Sequence, residues 1–127
     1  MATSNLVQLN HTIVPAHDKH ASATFIAEIL GIDVGGEVEP FVQVHLSNNV
    51  TLDFMNSSSF SLQHFAFLVD DEVFDAAHRR LLDRGVPTWA DPDHHEPGGI
   101  NTRWGGRGVY FPDPNGHNME ILTRAPS

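Results

Sequence analysis

The chain repeats itself, and that constrains its fold more than any composition figure does. Leu9-Asn10-His11-Thr12-Ile13-Val14 returns as Leu62-Gln63-His64-Phe65-Ala66-Phe67: a leucine, a polar residue, a histidine, then an apolar run. Short runs of this kind read as strands. Each is followed by an acidic capping candidate and a helical pattern. In the first half Asp18 precedes Ala21, Phe25, Ile26, Ile29 and Leu30, which share one helical face, and Gly31 stops the helix. In the second half Asp70 or Asp71 precedes Phe74, Ala77 and Leu81, and Gly85 stops it. The intervals His11 to Gly31 and His64 to Gly85 differ by a single residue.

Short strands follow each helix. The runs 41–46 and 50–55 flank Asn48-Asn49, a tight hairpin turn. The runs 109–111 and 118–123 flank Pro112-Asp113-Pro114-Asn115-Gly116, which suits a chain reversal. Each half is therefore strand–helix–strands, an α+β arrangement. The sequence reads as one domain over 1–127, with module one at about 6–56 and module two at about 62–124. Ser57-Ser58-Ser59 joins them. Asp91–Arg107, rich in Gly, Pro and His, reads as a long loop of the kind that carries function.

Composition narrows the possible activities. Sixteen Asp and Glu face seven Lys and Arg, a formal charge of −9 that repels nucleic-acid backbones and anionic membranes. No apolar run approaches a membrane span. Met1-Ala2-Thr3-Ser4-Asn5 has no signal-peptide character, so the expected location is cytoplasmic. Without cysteine there is no thiolate ligand or nucleophile. Nine histidines, more than the seven Lys and Arg together, point instead to imidazole chemistry. His17, His20, His78, His94 and His95 lie among polar neighbours and read as surface residues.

The repeat also pairs two carboxylates. Asp53 lies in the last strand of half one and Glu120 in the last strand of half two. A carboxylate between Met119 and Ile121 is costly to bury alone, and so is a histidine between Leu62 and Phe65. Side chains alternate along a strand, so Phe65 and Phe67 are expected under the helix and His64 on the opposite, concave side. Asn118, Glu120 and Leu122 share one side by the same logic. Two histidines and one carboxylate converging in a cleft make a facial metal set with open positions. Asp53, one methylene shorter than Glu, reads equally as a ligand through water, a base or a hydrogen-bonded structural acid.

With His11, His64 and Glu120 so placed, the duplication resembles the vicinal oxygen chelate superfamily. That superfamily contains glyoxalase I, fosfomycin resistance proteins, bleomycin resistance proteins and extradiol dioxygenases. The likeness runs from about Leu6 to Thr123. Its most specific stretch is Gly108-Val109-Tyr110-Phe111-Pro112-Asp113-Pro114-Asn115-Gly116-His117-Asn118-Met119-Glu120, similar to the family's aromatic–Asp-Pro-x-Gly ending with its metal-ligating Glu.

The resemblance implies two paired βαβββ modules forming curved mixed sheets around a metal cleft. It implies His11, His64 and Glu120 as ligands of a divalent metal ion (Fe, Zn, Ni or Mn). Asp53 falls where glyoxalase I has a fourth, acidic ligand. A small oxygenated substrate would chelate the metal, and chains of this size are commonly homodimers with sites between subunits. Tyr110 matches a substrate-positioning tyrosine of extradiol dioxygenases, which carry a histidine a few residues earlier, where Arg103 stands here. Arg103 and Arg107 are candidate anion clamps, and Trp104 a candidate closure of the pocket mouth. The expected activity is that of a metal-dependent enzyme, dioxygenase-like or glyoxalase-like. The alternative is a non-catalytic drug-binding protein of the bleomycin resistance type, which has no need of the three ligands.

Overall fold

The computed structural model describes residues 5–126. Two small mixed sheets carry the chain, and neither closes into a barrel. In the first module β1 (His11–Ala16) leads to α1 (Lys19–Leu30), β2 (Glu37–Val38), β3 (Phe41–His45) and β4 (Thr51–Asn56). Their order in the sheet is β1-β4-β3-β2, with β1 parallel to β4. In the second, β5 (His64–Leu68) leads to α2 (Asp71–Asp83), β6 (Gly108–Pro112) and β7 (Asn118–Leu122). Their order is β5-β7-β6, with β5 parallel to β7. Each module therefore places its first strand at a sheet edge, beside its last.

Local signals explain the element ends. The Asp18 carboxylate accepts from the His20 and Ala21 amides, capping α1, and Gly31 at φ 74° ends it in the left-handed region. Asp70 accepts from the Val73 amide to start α2. Asn49, at φ 66°, turns the β3–β4 hairpin. Pro15 sits within β1, where a missing N–H is tolerated because β1 is an edge strand.

Both helices bury their apolar faces in one shared cluster. Ala23, Ile26, Ile29 and Leu30 of α1 join Phe74, Ala77 and Leu81 of α2, together with Val14, Val44, Phe54, Phe67, Phe111 and Ile121 from the sheets. Each large apolar side chain so buried contributes about 1.5–3 kcal/mol. Ala21 faces solvent instead, because the buried stripe of α1 runs through Ala23 and Ala27. Between the helices, Arg80 donates to the Ile29 carbonyl at 3.1 Å and Arg84 to Glu28 at 2.9 Å.

Module two keeps the strand–helix–strands plan with the counterpart of β2 reduced to isolated bridges. Where module one has β2, Trp89 makes single-residue bridges to Tyr110 and Pro97. Asp91 holds the following loop by accepting from the His95 and Glu96 amides. No helix among the described residues is long and apolar enough to cross a membrane.

Candidate metal centre

The outward faces of the two sheets carry equivalent residues. On β5–β7–β6, His64 pairs with Asn118, Ala66 with Glu120, and Glu120 with Tyr110. On β1–β4–β3, His11 pairs with Thr51, Ile13 with Asp53, and Asp53 with Gln43. The duplication thus maps His11 onto His64, Asp53 onto Glu120, and Gln43 onto Tyr110. As expected from alternation, Phe67 is buried under the helices while His64, Ala66 and Leu68 are exposed.

His64 and Glu120 meet. His64 Nε2 stands 3.1 Å from Glu120 Oε1, and its Nδ1 lies 2.9 Å from the Asn118 carbonyl oxygen. A carbonyl only accepts, so Nδ1 carries a proton and Nε2 is the nitrogen turned toward the carboxylate. A proton between them makes this an ion pair, and a divalent cation in its place would take both atoms as ligands. A backbone carbonyl holding the far nitrogen is also how metal-ligating histidines are usually fixed. The residues therefore fit a divalent cation.

Tyr110 stands beside them, with its ring centroid 5.9 Å from that of His64. Burial pushes its phenol pKa up, the Glu120 charge adds to this, and Arg103 works against it. The phenol is therefore a protonated donor throughout the physiological range. Arg103 itself is exposed, in a short 3₁₀ turn over Arg103–Gly105. Trp104, in the same turn, is largely exposed and has a positive φ of 61°.

His11 is not brought to this pair within the chain. Its Nδ1 donates to the Asn10 side-chain oxygen at 2.8 Å, which leaves Nε2, as the nitrogen facing outward, without a protein partner among the described residues. Asp53 is buried on the central strand of its sheet and accepts from Gln43 Nε2 at 3.1 Å. Among the described residues, no three His, Asp or Glu side chains are gathered so as to hold a metal. Arg107 lies on the helix side of β6. It is held by Asp75 at 2.7 Å and Asp71 at 2.9 Å, and its guanidinium covers the Phe74 ring at 4.5 Å. Those carboxylates, Asp75 first, push its pKa up.

Two residues near the pair, Asn118 and His94, and one on the other sheet, His45, were not singled out from the sequence. Asn118 supplies the carbonyl that holds His64, and its side chain accepts from His94 Nε2 at 2.9 Å. His94 stacks flat on Trp89, with centroids 3.9 Å apart and planes 4° from parallel. It adopts φ 61°, a conformation that costs a non-glycine residue energy and collects at functional sites. His94 is thus half-buried rather than a surface residue, and so is His78 on α2. His45, hydrogen bonded to Thr51 at 3.0 Å, shares the face of His11 and Asp53. The positive φ at a histidine has no local sequence signature. The outward parity of His45 could have been read from its strand.

This duplicated sheet pair, with a histidine on each edge strand and an acid on each neighbouring strand, defines a fold class. The chain belongs to the Glyoxalase/Bleomycin resistance protein/Dioxygenase superfamily, which matches residues 8–121. Among curated proteins it is 27% identical over 123 residues to the glutathione transferase FosA of Serratia marcescens, spanning 91% of this chain and 80% of that one. Among solved structures it is similar to oxidase ChaP-H2, at 54% identity and TM-score 0.92 over 94% of each chain. Oxidase ChaP-H1 matches at 53% identity and TM-score 0.92, over 94% of this chain and 98% of that one. The fosfomycin resistance protein FosX of Listeria monocytogenes, at 18% identity and TM-score 0.71 over 97% of this chain and 95% of that one, shares the fold.

Proposed function

We propose that the chain is a metal-dependent enzyme of this superfamily, oxidase- or dioxygenase-like, acting on a small oxygenated organic molecule. The observation that carries the reading is His64 Nε2 standing 3.1 Å from Glu120 Oε1 while the Asn118 carbonyl holds the other ring nitrogen. The oxidase subclass comes ahead of glyoxalase-like or transferase chemistry because two relatives above 50% identity are named oxidases. A bound divalent ion supplies Lewis acidity toward two neighbouring substrate oxygens and, if redox-active, a route to dioxygen.

The third ligand in this reading is His11 of a second copy. β1 and β5 are both sheet edges, with unpaired backbone groups along one side. Apolar side chains stand exposed along both: Leu9 at 67% and Ile13 at 43% for β1, Leu62 at 62% and Leu68 at 65% for β5. A homodimer pairing these two edges would cover these side chains. Each centre then draws His64 and Glu120 from one protomer and His11 from the other, with Asp53 and Gln43 facing the same space as a possible base and its hydrogen-bond donor.

The remaining roles belong to the chain itself. The Asn118 carbonyl fixes the His64 tautomer. Tyr110, protonated, donates to a substrate oxygen. Arg103 holds an anionic group at the rim, and Trp104 covers the mouth.

The test is elemental analysis of protein purified anaerobically without a metal-affinity tag, followed by reconstitution. Stoichiometric iron supports the oxidase reading and directs a screen of catechols and related oxygenated aromatics with an oxygen electrode. Zinc, nickel or manganese supports isomerase, lyase or transferase chemistry instead. No binding of any of these ions overturns the enzyme reading in favour of a drug-binding protein. His64→Ala should lose most of the metal, and full retention would place the site elsewhere.

A further inference from the structure

We infer that His117 is a positioning residue for the metal centre, joining through one imidazole the two edge strands that carry the histidine ligands. His117 is fully buried. Its Nδ1 accepts from the Gln63 amide at 3.0 Å, and its Nε2 donates to the Pro15 carbonyl at 2.8 Å. Gln63 immediately precedes His64 on β5, and Pro15 lies on β1 with His11. His117 itself enters β7, the strand of Glu120. All three strands of the proposed ligand set therefore meet at one side chain that touches none of the ligands.

Nothing in the sheets provides this connection. β1 and β5 are edges of different sheets, and each is paired only with its own module's last strand. The imidazole is held rigidly: its own amide donates to Asp113 at 2.8 Å, and the Phe60 and Phe65 rings pack at 5.4 and 5.8 Å. The same turn adds a second tie, with Asn115 accepting from the His17 amide and donating to Ser22, both at 2.8 Å. A buried imidazole that donates on one side and accepts on the other has one tautomer and one orientation. An apolar residue could fill the volume but could not fix β1 relative to β5.

The inference rests on the metal reading above, in which β5 serves the protomer's own centre and β1 offers His11 to its partner. His117 then sets the angle at which one subunit presents its ligands to two centres. Supporting groups of this kind typically change metal affinity by about 10- to 100-fold when removed.

The experiment titrates the wild-type protein and His117→Phe with cobalt(II), following the visible absorption bands, with thermal unfolding as a control. Phenylalanine keeps the ring volume against Phe60 and Phe65. The expected result is a folded variant that binds cobalt about 10- to 100-fold more weakly, with altered band positions. Equal affinity and unchanged bands in the variant would overturn the positioning role while leaving the metal reading intact. Failure of the wild type to bind cobalt or zinc would overturn the metal reading, and this inference with it. A second measurement needs no variant. Adding zinc(II) to the wild type should shift the His117 Nε2–H resonance, and a resonance that stays put would count against the coupling even if His117→Phe failed to fold.

Discussion

Tyr110 and Glu120 face each other across β6 and β7, so the chain's one phenol stands against a candidate metal-ligating carboxylate. Its raised pKa follows first from burial and then from the Glu120 charge, with Arg103 opposing. With a single tyrosine in the chain, the rise in near-ultraviolet absorbance on phenolate formation reports this group alone, over a constant background from Trp89 and Trp104. We expect phenolate to form only above the ordinary value of about 10. Glu120→Gln should bring the onset down, and Arg103→Ala should move it further up. Because the folded value is raised, the associated stability is present below about pH 10 and is lost as pH rises through the folded pKa. Shifts of the opposite sign would mean that neither charge reaches the phenol.

The His94–Asn118 link separates two roles of one residue. Asn118→Ala keeps the backbone carbonyl that holds His64 but removes the acceptor of His94. Metal affinity should stay within a few-fold, whereas amide exchange across Asp91–Arg107 should accelerate. A large loss of metal without faster exchange would show that the side chain, not the carbonyl, matters to the ligand.

His78 supplies an acid-sensitive element away from the cleft. Burial lowers its pKa, the Arg107 charge adds to this, and Asp75 opposes; its Nε2 is buried without a partner. A lowered folded pKa favours the neutral ring. The contribution is complete above the unfolded value of about 6.5 and is lost as pH falls through the folded one. His78→Leu should therefore unfold at a higher temperature than the wild type at pH 5, with a smaller gain at pH 7.5. At neutral pH, removing the orphaned nitrogen is expected to stabilise by about 1 kcal/mol. Equal acid sensitivity in both proteins would assign the acid response to other groups.

Phe111 tests how far the two modules depend on one core. It is fully buried on β6 of module two, yet its ring lies 6.2 Å from Phe25 on α1 of module one. Phe111→Ala should cost about 3–5 kcal/mol in urea unfolding, with both modules lost in one transition. Two separated transitions would show that the modules unfold independently.

Much of this architecture was legible because its signals are local. Asp18, Gly31 and Asp70 act within a few residues of themselves, and the apolar spacing of Phe74, Ala77 and Leu81 needs only helical geometry. The equivalence of His11 with His64, and of Asp53 with Glu120, could be read because duplication writes it twice. What escaped depends on distant partners. His117 stands in a polar stretch that looks exposed, and its burial follows from groups on β1 and before β5. Arg107 reads from the sequence as a candidate anion clamp in the long loop. It sits just before β6 and reaches α2, where Asp71 and Asp75 hold it. His94 is placed by the indole of Trp89 and by Asn118, neither adjacent in sequence.

The loop that stands in place of a counterpart to β2 in module two bears on how such a chain can be altered. The register of β6 against β7, and so the pairing of Tyr110 with Glu120, is set by those two strands themselves. The segment after Trp89 meets that sheet through isolated bridges, the Asn118 side chain and, at its very end, hydrogen bonds between Arg107 and Thr123. A different segment could be grafted between Ala90 and Gly108, changing which molecules enter, while the ligand-bearing strands keep their alignment.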